Sequence, residues 1–382
     1  MKVQRRLDLP RLLQKKSFFL FGPRATGKTY LIREQLADQA QVIDLLRSDL
    51  YLRLAGSPVE LEAILTGQAS NSVIVIDEVQ KVPQLLDEVQ RLIETKRLRF
   101  LLTGSSARKL RRGQANLLAG RAWQANLFPL TWDELTDTHF DLDRYLRYGG
   151  LPSVYLSQDP AEELQAYAHT YLTEEIQAEG LVRRLPQFAR FLQVAALGNG
   201  QILNFTRIGN DAQVAPSTVR EYYYLLEDTL LGFLLPPWTK SRKRKAITSA
   251  KFYLFDTGVA HTLAGTRTLE RNSDLYGRSF EHWIGMELRA ALSYQRTHQE
   301  LCYWRSTHQH EVDFIIGDEV AIEVKASQRT TKRDGKGLRA LQEEGICQRF
   351  YLVSQDPIER LDNGVHAVHW RTLLSRLWAG QL

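Results

Sequence analysis

The amino-acid sequence predicts an α/β fold built from several domains, with a phosphate-binding domain first and a second α/β domain last. A glycine-rich loop, Gly22–Thr29, lies between an apolar run and a helix-like stretch. A second apolar run ends in the acidic pair Asp77 and Glu78. Toward the other end, two apolar segments flank the turn-like Gly317–Glu319 and carry charged residues at alternate positions. The chain has 382 residues, which suits about two to four domains of ordinary size.

The glycine-rich loop reads GPRATGKT and has the strand–loop–helix context that phosphate-binding loops require. Backbone N–H groups of such a loop, together with the N-terminus of the next helix, form a positive site for phosphates. Lys28 is expected to reach the β- and γ-phosphates of ATP, and the Thr29 hydroxyl to bind Mg²⁺. The sequence therefore predicts ATP and Mg²⁺ as cofactors and the following nucleotide-binding residues: Gly22, Pro23, Arg24, Ala25, Thr26, Gly27, Lys28 and Thr29.

The segment SVIVIDEVQ, residues 72–80, is typical of a buried parallel strand that ends in two acidic residues. Asp77 is expected to hold the Mg²⁺ ion. Glu78 is expected to orient or deprotonate the attacking water. Acidic residues at a strand end also serve as helix caps, so the pair alone does not indicate catalysis. It does so here because the glycine-rich loop precedes it.

A third apolar strand, RFLLTG at residues 99–104, is followed by small polar residues that would lie beside the other two strand ends. Ser105 is the predicted sensor of the γ-phosphate and thus a nucleotide-binding residue, with Ser106 and then Thr103 as alternatives. A simple strand-to-helix turn with a serine cap explains the same residues.

Arg121 follows a glycine in the stretch LLAGRAW. We predict that it acts as an arginine finger on the nucleotide of a neighbouring subunit. Arg108, Arg111 and Arg112 are alternatives for this role. A trans-acting arginine requires a neighbour, so we expect a homo-oligomer, with a hexameric ring favoured. A monomer in which Arg121 faces its own domain is the competing interpretation.

In their order along the chain, these elements resemble the Walker A, Walker B and first sensor of an AAA+ ATPase core. The resemblance covers most of the chain, because four further segments look like signatures of one bacterial and archaeal ATPase family: YLRYGGLPSVYL, AYAHTYLTEEI, KFYLFDTGVAHTLAG and EVDFIIGDEVAIEVK. Members of that family carry an AAA domain followed by a C-terminal domain of unknown function. The resemblance implies an ATPase with an accessory domain of nucleic-acid type. Glu175 stands where the family is expected to have an aspartate.

The middle of the chain, residues 201–238, has the pattern of a winged helix-turn-helix. The first helix is predicted from apolar residues at helical spacing, namely Ile202, Phe205, Ile208 and Ala212. Ser217 is the expected N-cap of the second, DNA-reading helix. A strand-like GFLLPPW then leads to a basic run in the wing, and the predicted DNA-binding residues are Arg242, Lys243, Arg244 and Lys245. A protein-contact role for the same module is the alternative.

The segment AIEVKAS, residues 321–327, places Glu323 and Lys325 on one face of a strand, because alternate residues of a strand point the same way. If the preceding hairpin loop has three residues, Asp313 pairs across it with Glu323. A two-residue loop would put Asp313 on the wrong face. Glu281 is expected in the first turn of an upstream helix. An edge strand with a solvated ion pair is the plain alternative.

Helix Glu281, strand Asp313 and the Glu323-x-Lys325 step resemble the PD-(D/E)XK nuclease core. The resemblance implies a restriction-endonuclease-like α/β domain in which Glu281, Asp313 and Glu323 bind Mg²⁺. The metal would activate a water and clamp phosphate oxygens. Lys325 would position that water or stabilise the developing charge. Asp313, Glu323 and Lys325 are therefore the predicted cleavage residues, beside Glu78 and Arg121 for ATP hydrolysis.

The composition excludes some classes of protein and leaves others open. The formal net charge of +6 suits an anionic partner such as DNA, and 43% hydrophobic residues are enough for ordinary cores. The two cysteines are far apart and match no metal-finger spacing. We see no secretory signal and no apolar run of bilayer length, so we expect a cytoplasmic protein without a membrane partner.

We predict four modules: an AAA+ P-loop core at 1–135, a helical lid at 136–190, a winged helix at 191–248 and a nuclease-like domain at 249–382. The leading hypothesis is an ATP-hydrolysing protein that binds or remodels DNA, such as branched Holliday junctions, and cleaves it with Mg²⁺. Recognition of DNA structure rather than base sequence is expected. One alternative is an ATP-gated DNA-binding regulator whose nuclease-like domain is inactive. Another is a protein-remodelling ATPase.

Overall fold

The computed structural model describes residues 3–37, 39–104, 118, 120–136, 140–168 and 185–382. The chain forms two compact units: the first comprises Lys2–Phe128 with Asp228–Leu231, and the second comprises Pro129–Glu227 and Gly232–Leu382. The finer division into four modules stays a prediction. Some sequence-based predictions lie outside the described residues, namely those for Ser105, Ser106, Arg108, Arg111, Arg112 and Glu175.

The first unit alternates strands with helices. Its strands are β1 Ser17–Phe21, β2 Ala40–Asp44, β3 Val73–Asp77, β4 Arg99–Gly104 and β5 Ala122–Asn126. Its helices are α1 Leu9–Lys15, α2 Lys28–Leu36, α3 Ser48–Gly56, α4 Glu60–Ile64 and α5 Leu85–Lys96, with a 3₁₀ turn at Val79–Lys81.

The five strands form one parallel sheet in the order β2-β3-β4-β1-β5. Its inner strands are almost entirely buried, as continuous apolar runs require, whereas the edge strands are partly exposed, at Val42 in β2 and at Gln124 in β5. The predicted parallel α/β sheet is confirmed. Because the strands are parallel, the loop after β1 and the ends of β3 and β4 meet at one edge of the sheet.

The second unit begins with short helices and ends with a mixed sheet. Its helices are α6 Trp132–Leu135, α7 Leu142–Tyr148, α8 Pro152–Tyr155, α9 Pro160–Ala166, α10 Leu185–Leu197, α11 Phe205–Ala212, α12 Pro216–Asp228, α13 Thr257–Ala264, α14 Asp274–Gln295, α15 Lys336–Gln342 and α16 Trp370–Trp378. Its strands are β6 Gly232–Leu235, β7 Lys251–Leu254, β8 Leu301–Arg305, β9 Glu311–Ile316, β10 Val320–Val324, β11 Arg349–Ser354, β12 Arg360–Asp362 and β13 Val365–His369.

The six-stranded sheet has the order β12-β13-β11-β10-β9-β8, so β10 is a central strand. All five residues of β10 are buried, and the alternative of a solvated edge strand is therefore wrong. The β9–β10 hairpin has the three-residue loop Gly317–Glu319. Its paired residues are Ile316 with Val320, Ile315 with Ala321 and Phe314 with Ile322. Extending this register by one residue sets Asp313 opposite Glu323, as predicted.

Helix α14 packs closely on this sheet, because a Cβ at Gly285 would lie 2.8 Å from the Phe314 ring. The helix is longer than expected. It begins at Asp274, where the Ser273 side chain caps it by accepting a hydrogen bond from the Tyr276 N–H. Glu281 therefore lies in the third turn, and its expected place in the first turn is wrong.

The predicted helix-turn-helix region contains α11 and α12, followed by the antiparallel pair β6–β7. A Cβ at Gly209 would lie 2.6 Å from the Val214 carbonyl oxygen, so the turn between the helices needs a glycine there. Two details differ from expectation. Ile202 lies before α11 and forms a β-bridge with Lys251. Helix α12 already begins at Pro216, so Ser217 lies inside it and is not its cap.

In the described part of the chain, none of the helices is long and apolar enough to cross a bilayer.

Candidate functional site

The predicted nucleotide-binding residues Gly22–Thr29 form the loop between β1 and α2, with α2 beginning at Lys28. Lys28 is buried, and its Nζ donates to the carbonyl oxygens of Gly22 at 2.6 Å and Pro23 at 3.1 Å. Thr26 also folds onto the loop, because its Oγ1 donates to the Pro23 oxygen at 2.8 Å. The Lys28 ammonium therefore donates to backbone carbonyl oxygens, and anionic phosphate oxygens would compete with these carbonyls for it.

Two features fix the backbone of this loop. Gly22 lies against the end of β5: a Cβ there would come within 2.6 Å of the Leu127 carbonyl oxygen. Arg5 is buried and donates to the Thr26 oxygen at 2.7 Å and to the Phe128 oxygen at 2.6 Å. Sequence reasoning missed Arg5, because nothing in the N-terminal stretch signals a contact more than a hundred residues away.

Thr29, Asp77 and Thr103 form a hydrogen-bonded chain at the edge of the sheet. The Thr29 Oγ1 donates to Asp77 Oδ2 at 3.1 Å, and the buried Thr103 hydroxyl donates to Asp77 Oδ1. The Thr103 oxygen in turn accepts from the Glu78 N–H at 3.1 Å. Thr29 and Asp77, the two predicted Mg²⁺ ligands of this unit, are therefore brought together. A hydroxyl and a carboxylate are ligands that Mg²⁺ prefers, so these residues fit the ion.

Thr103 has a larger part in this arrangement than the sequence indicated. In the register of β3 with β4, Ile76 pairs with Leu102, so the next residues, Asp77 and Thr103, are neighbours. The signal in the sequence was a threonine at the end of one apolar strand, next to a strand that ends in an acidic residue. That Thr103 holds Asp77 was not predicted from the sequence, and the choice of Ser105 as the γ-phosphate sensor stays a prediction.

Glu78 adopts a left-handed conformation at φ 62° and ψ 43°. Residues other than glycine rarely adopt it, and such strain clusters at functional sites. The Glu78 side chain accepts a hydrogen bond from the Gln80 Nε2. Gln80 is buried, and its Oε1 has no hydrogen-bond partner within the described residues. The amide therefore fixes the orientation of Glu78.

Arg121, the predicted arginine finger, lies just before β5. Its guanidinium forms an ion pair with Glu94 of the same unit, and both side chains are about half exposed. The described contact thus places Arg121 against its own domain. It gives no support to a trans-acting role.

Asp313, one of the predicted cleavage residues, and Glu281, a predicted metal ligand, lie beside a buried lysine, Lys251, at the start of β7. Its side chain is only 4% exposed. Its Nζ lies 2.7 Å from a Glu311 oxygen, 3.2 Å from Glu281 Oε1 and 3.9 Å from Asp313 Oδ1. Burial lowers the pKa of Lys251, but the surrounding carboxylates outweigh burial and raise it well above its ordinary value. Lys251 is therefore a fixed cation inside the cluster.

Asp313 and Glu323 are both buried on neighbouring strands. Asp313 Oδ2 accepts from the Val324 N–H at 2.8 Å, and Glu323 Oε1 accepts from Lys325 Nζ at 2.5 Å. Burial raises the pKa of Asp313 to about 7, and the charge of Glu281 adds to the rise. Burial and the charge of Asp313 raise the pKa of Glu323 well above its usual range.

The residues predicted to bind Mg²⁺ here, Glu281, Asp313 and Glu323, do share one cluster, and metal binding by them stays a prediction. No three histidine, cysteine or acidic side chains among the described residues are grouped so that they could hold a metal. The ammonium of Lys251 lies between Glu281, Glu311 and Asp313, where it supplies positive charge to all three. Sequence reasoning missed Lys251, because its position depends on contacts with distant segments, among them the β6–β7 pairing and the bridge to Ile202.

The predicted DNA-binding run is partly engaged by acidic residues of the same unit. The N–H groups of Arg242 and Lys243 each donate to Glu344 Oε2 at 2.7 Å. The Arg244 guanidinium pairs with Glu343 and lies 3.3 Å from Glu344 Oε1. The side chains of Arg242, Lys243 and Lys245 are exposed, but the nearby carboxylates reduce the local positive charge.

Comparisons with known families assign parts of the chain. Residues 14–136 match a family model described as an AAA domain. Residues 139–270 and 276–373 match two models, each described as a domain of unknown function. None of these models says what the last two regions do.

Relatives of the chain occur in bacteria and archaea. An uncharacterized protein of Mycobacterium tuberculosis is 30% identical over 313 residues, which is 78% of this chain and 66% of that relative. The chain thus spans just under two thirds of that relative. An uncharacterized protein of Methanocaldococcus jannaschii is 21% identical over 388 residues, covering 92% of this chain and 85% of the relative.

Similar solved structures include a Walker-type ATPase of Pyrococcus abyssi, with a TM-score of 0.47 and 14% identity over 67% of this chain and 93% of that one. Another is the Orc1 protein of Aeropyrum pernix in complex with DNA, with a TM-score of 0.31 and 13% identity over 69% of this chain and 92% of that one.

Proposed function

We propose that the protein hydrolyses ATP and uses the bound nucleotide to control DNA binding by its second unit, because residues 14–136 match an AAA domain. The hydrogen-bonded chain of Thr29, Asp77 and Thr103 beside the buried Lys28 carries the ATPase part of the proposal. DNA binding is supported by the basic charge of the protein and by the nuclease-like arrangement of Asp313, Glu323 and Lys325.

Each residue of the nucleotide site has a distinct role in this proposal. Lys28 binds phosphate oxygens once they displace the loop carbonyls. Thr29 and Asp77 would hold Mg²⁺, which when bound neutralises phosphate charge. Glu78 orients the attacking water, while Thr103 fixes both Asp77 and the Glu78 backbone.

The second unit is proposed to hold DNA without cutting it. The buried Lys251 supports this version, because it supplies the positive charge that a catalytic metal would otherwise bring to Glu281 and Asp313. The notion of a metal-dependent nuclease remains a second candidate. It is favoured by one observation, the hairpin register that sets Asp313 opposite Glu323 and beside Lys325.

A single set of assays tests these functions. DNA binding is measured by fluorescence anisotropy with a duplex and a four-way junction, with ATP, with ADP and without nucleotide. Glu78→Gln serves as the form that holds ATP unhydrolysed. Equal DNA affinity in all nucleotide states would refute the switch, and no DNA binding in any state would favour the protein-contact alternative.

The same DNAs, incubated with Mg²⁺ or Mn²⁺, separate holding from cutting. Cleavage by the wild type that Lys325→Ala abolishes would establish the nuclease candidate and refute the non-cutting version. Intact DNA with wild-type binding would support the proposal. Assembly into a hexameric ring stays a prediction, to be measured by sedimentation with ATP and the Glu78→Gln variant.

A further inference from the structure

The segment that follows β10 is a second strongly basic stretch of the second unit, in addition to the predicted wing. From Lys325 to Arg339 it has six cations and one carboxylate, a net charge of +5. Four of the cations are exposed: Arg329, Lys332, Arg333 and Lys336. In the described part of the chain, the sole ion pair of these four joins Lys332 to Asp362 at 4.0 Å, and the Lys332 side chain is 84% exposed.

The segment is held rigidly on the sheet. The Thr330 N–H and hydroxyl donate to Asp356 Oδ2 at 2.8 and 3.1 Å. A capping box between Thr331 and Asp334 begins the 3₁₀ turn Lys332–Gly335, so the one acidic residue of the segment is engaged with its own backbone. A Cβ at Gly337 would lie 1.8 Å from the Glu311 carbonyl oxygen, so the chain passes directly over β9. Cations on a fixed backbone lose less entropy when they bind a ligand.

The predicted wing, Lys240–Lys245, has a less favourable electrostatic setting. Lys240 forms an ion pair with Asp318 at 2.6 Å, and Arg244 pairs with Glu343 and Glu344. An approaching phosphate would meet these carboxylates as well as the cations. The charge of the basic segment after β10 is not offset in this way.

We infer that Arg329, Lys332, Arg333 and Lys336 form the main surface of the second unit that contacts DNA phosphates. This inference rests on the proposed DNA-binding function and names its site. A polyanion is the fitting partner, because the exposed cations gather in eight residues with only Asp334 among them. Lysine and arginine contacts to the backbone neutralise phosphates and release counterions, so binding is expected to depend steeply on salt and little on base sequence.

The test compares two quadruple variants of the full chain. The first changes Arg329, Lys332, Arg333 and Lys336 to Ser; the matched control changes Arg242, Lys243, Arg244 and Lys245 to Ser. Affinity for a fluorescein-labelled duplex is measured across a series of salt concentrations, and thermal melting verifies folding. If all four residues contact phosphates, the log–log salt slope flattens by about 3 to 4, and the affinity at about 0.1 M salt falls by about a thousandfold. The wing control is expected to change the slope by about one unit or less.

A second measurement does not depend on the variants. Amine-directed acetylation of the wild type, followed by mass spectrometry, reports whether DNA protects Lys332 and Lys336. Protection of both lysines supports the inference. An unchanged slope in the first variant, or loss of binding in the wing control alone, overturns the inference but leaves DNA binding intact. A wild type that binds no duplex overturns both the inference and the proposed DNA-binding function.

Discussion

Replacing Lys251 by Met tests whether this lysine takes the place of a metal ion. The substitution keeps an unbranched apolar stem but removes the ammonium that lies among Glu281, Glu311 and Asp313. The Lys251 side chain is 4% exposed and that of Asp313 is 7% exposed, so their charges are poorly screened. Glu281 and Glu311 are more than a fifth exposed, so water screens part of their repulsion.

Removing one partner of a buried ion pair costs about 3–5 kcal/mol, because the other charge is left without compensation. The partial exposure of two partners favours the lower end, about 3 kcal/mol. For a unit of this size, that loss lowers the melting temperature by about 6 to 12 °C. Lys240→Met is the matched control: its pair with Asp318 has side chains that are 62% and 43% exposed. Surface pairs of this kind contribute about 0–1 kcal/mol.

Thermal melting at neutral pH, with and without Mn²⁺ and in the absence of nucleotide, provides the assay. The wild type is expected to gain no stability from Mn²⁺ in its second unit, since Lys251 already supplies the charge. Lys251→Met is expected to gain stability from Mn²⁺, because the carboxylates around residue 251 then lack a cation. A Mn²⁺ concentration of about a hundred times the dissociation constant adds about 2.7 kcal/mol to the free energy of unfolding. Mn²⁺ that stabilises the wild type, with the effect lost in Asp313→Asn, would refute the reasoning.

Four further outcomes are expected. Lys28→Ala abolishes ATP binding and turnover. Glu78→Gln still binds ATP but lowers kcat by about a hundredfold or more. Turnover at the wild-type rate by Lys28→Ala would contradict the assignment of the nucleotide site. Thr103→Val lowers kcat by about ten- to a hundredfold with little change in ATP affinity, measured by steady-state kinetics, because it removes a partner that orients Asp77 and Glu78. Mixing Arg121→Ala with Glu78→Gln subunits restores some ATPase activity only if Arg121 acts in trans, and the intramolecular pair of Arg121 leads us to expect no restoration. Burial lowers the pKa of His261 from 6.5 to about 4, so between these two pH values the unfolded state binds more protons than the folded state. The free energy of unfolding is therefore expected to fall by about 1.4 kcal/mol for each pH unit of acidification in this range. His261→Gln should flatten the dependence of melting temperature on pH.

Local patterns in the sequence were sufficient for the parts of the site that one strand or one loop determines. The loop Gly22–Thr29 needed only its glycines and its flanking strand and helix. The alignment of Asp313 with Glu323 followed from a three-residue hairpin loop, because strand side chains alternate. The start of α14 was predicted about two turns too late, so Glu281 was expected in the first turn and lies in the third, because the helix begins at the Ser273 cap.

Contacts between distant segments were beyond such patterns. Lys251 lies 3.9 Å from Asp313 Oδ1, although it belongs to the separate two-stranded sheet of β6 and β7 and lies more than sixty residues before Asp313 in the chain. The sequence predicts Arg244 as a wing cation that binds DNA. In the structure it forms ion pairs with Glu343 and Glu344, which follow about a hundred residues later in the chain. A basic run in a sequence indicates charge, but only the fold shows which of its cations are already neutralised.

The arrangement of charge in the second unit gives a physical reason for our proposal that this unit holds DNA without cutting it. Inside, Lys251 and the pair of Lys325 with Glu323 offset buried carboxylates that would otherwise repel a phosphate. Lys325 is 37% exposed while Glu323 is 8% exposed, so this pair runs from the interior toward the surface where β10 ends. The exposed cations of Arg329–Lys336 follow directly. If the buried carboxylates had no lysine partners, a metal ion would be needed to offset their negative charge before a DNA phosphate could approach. Because Lys251 and Lys325 already offset this charge, the surface cations can bind the DNA backbone without a metal ion.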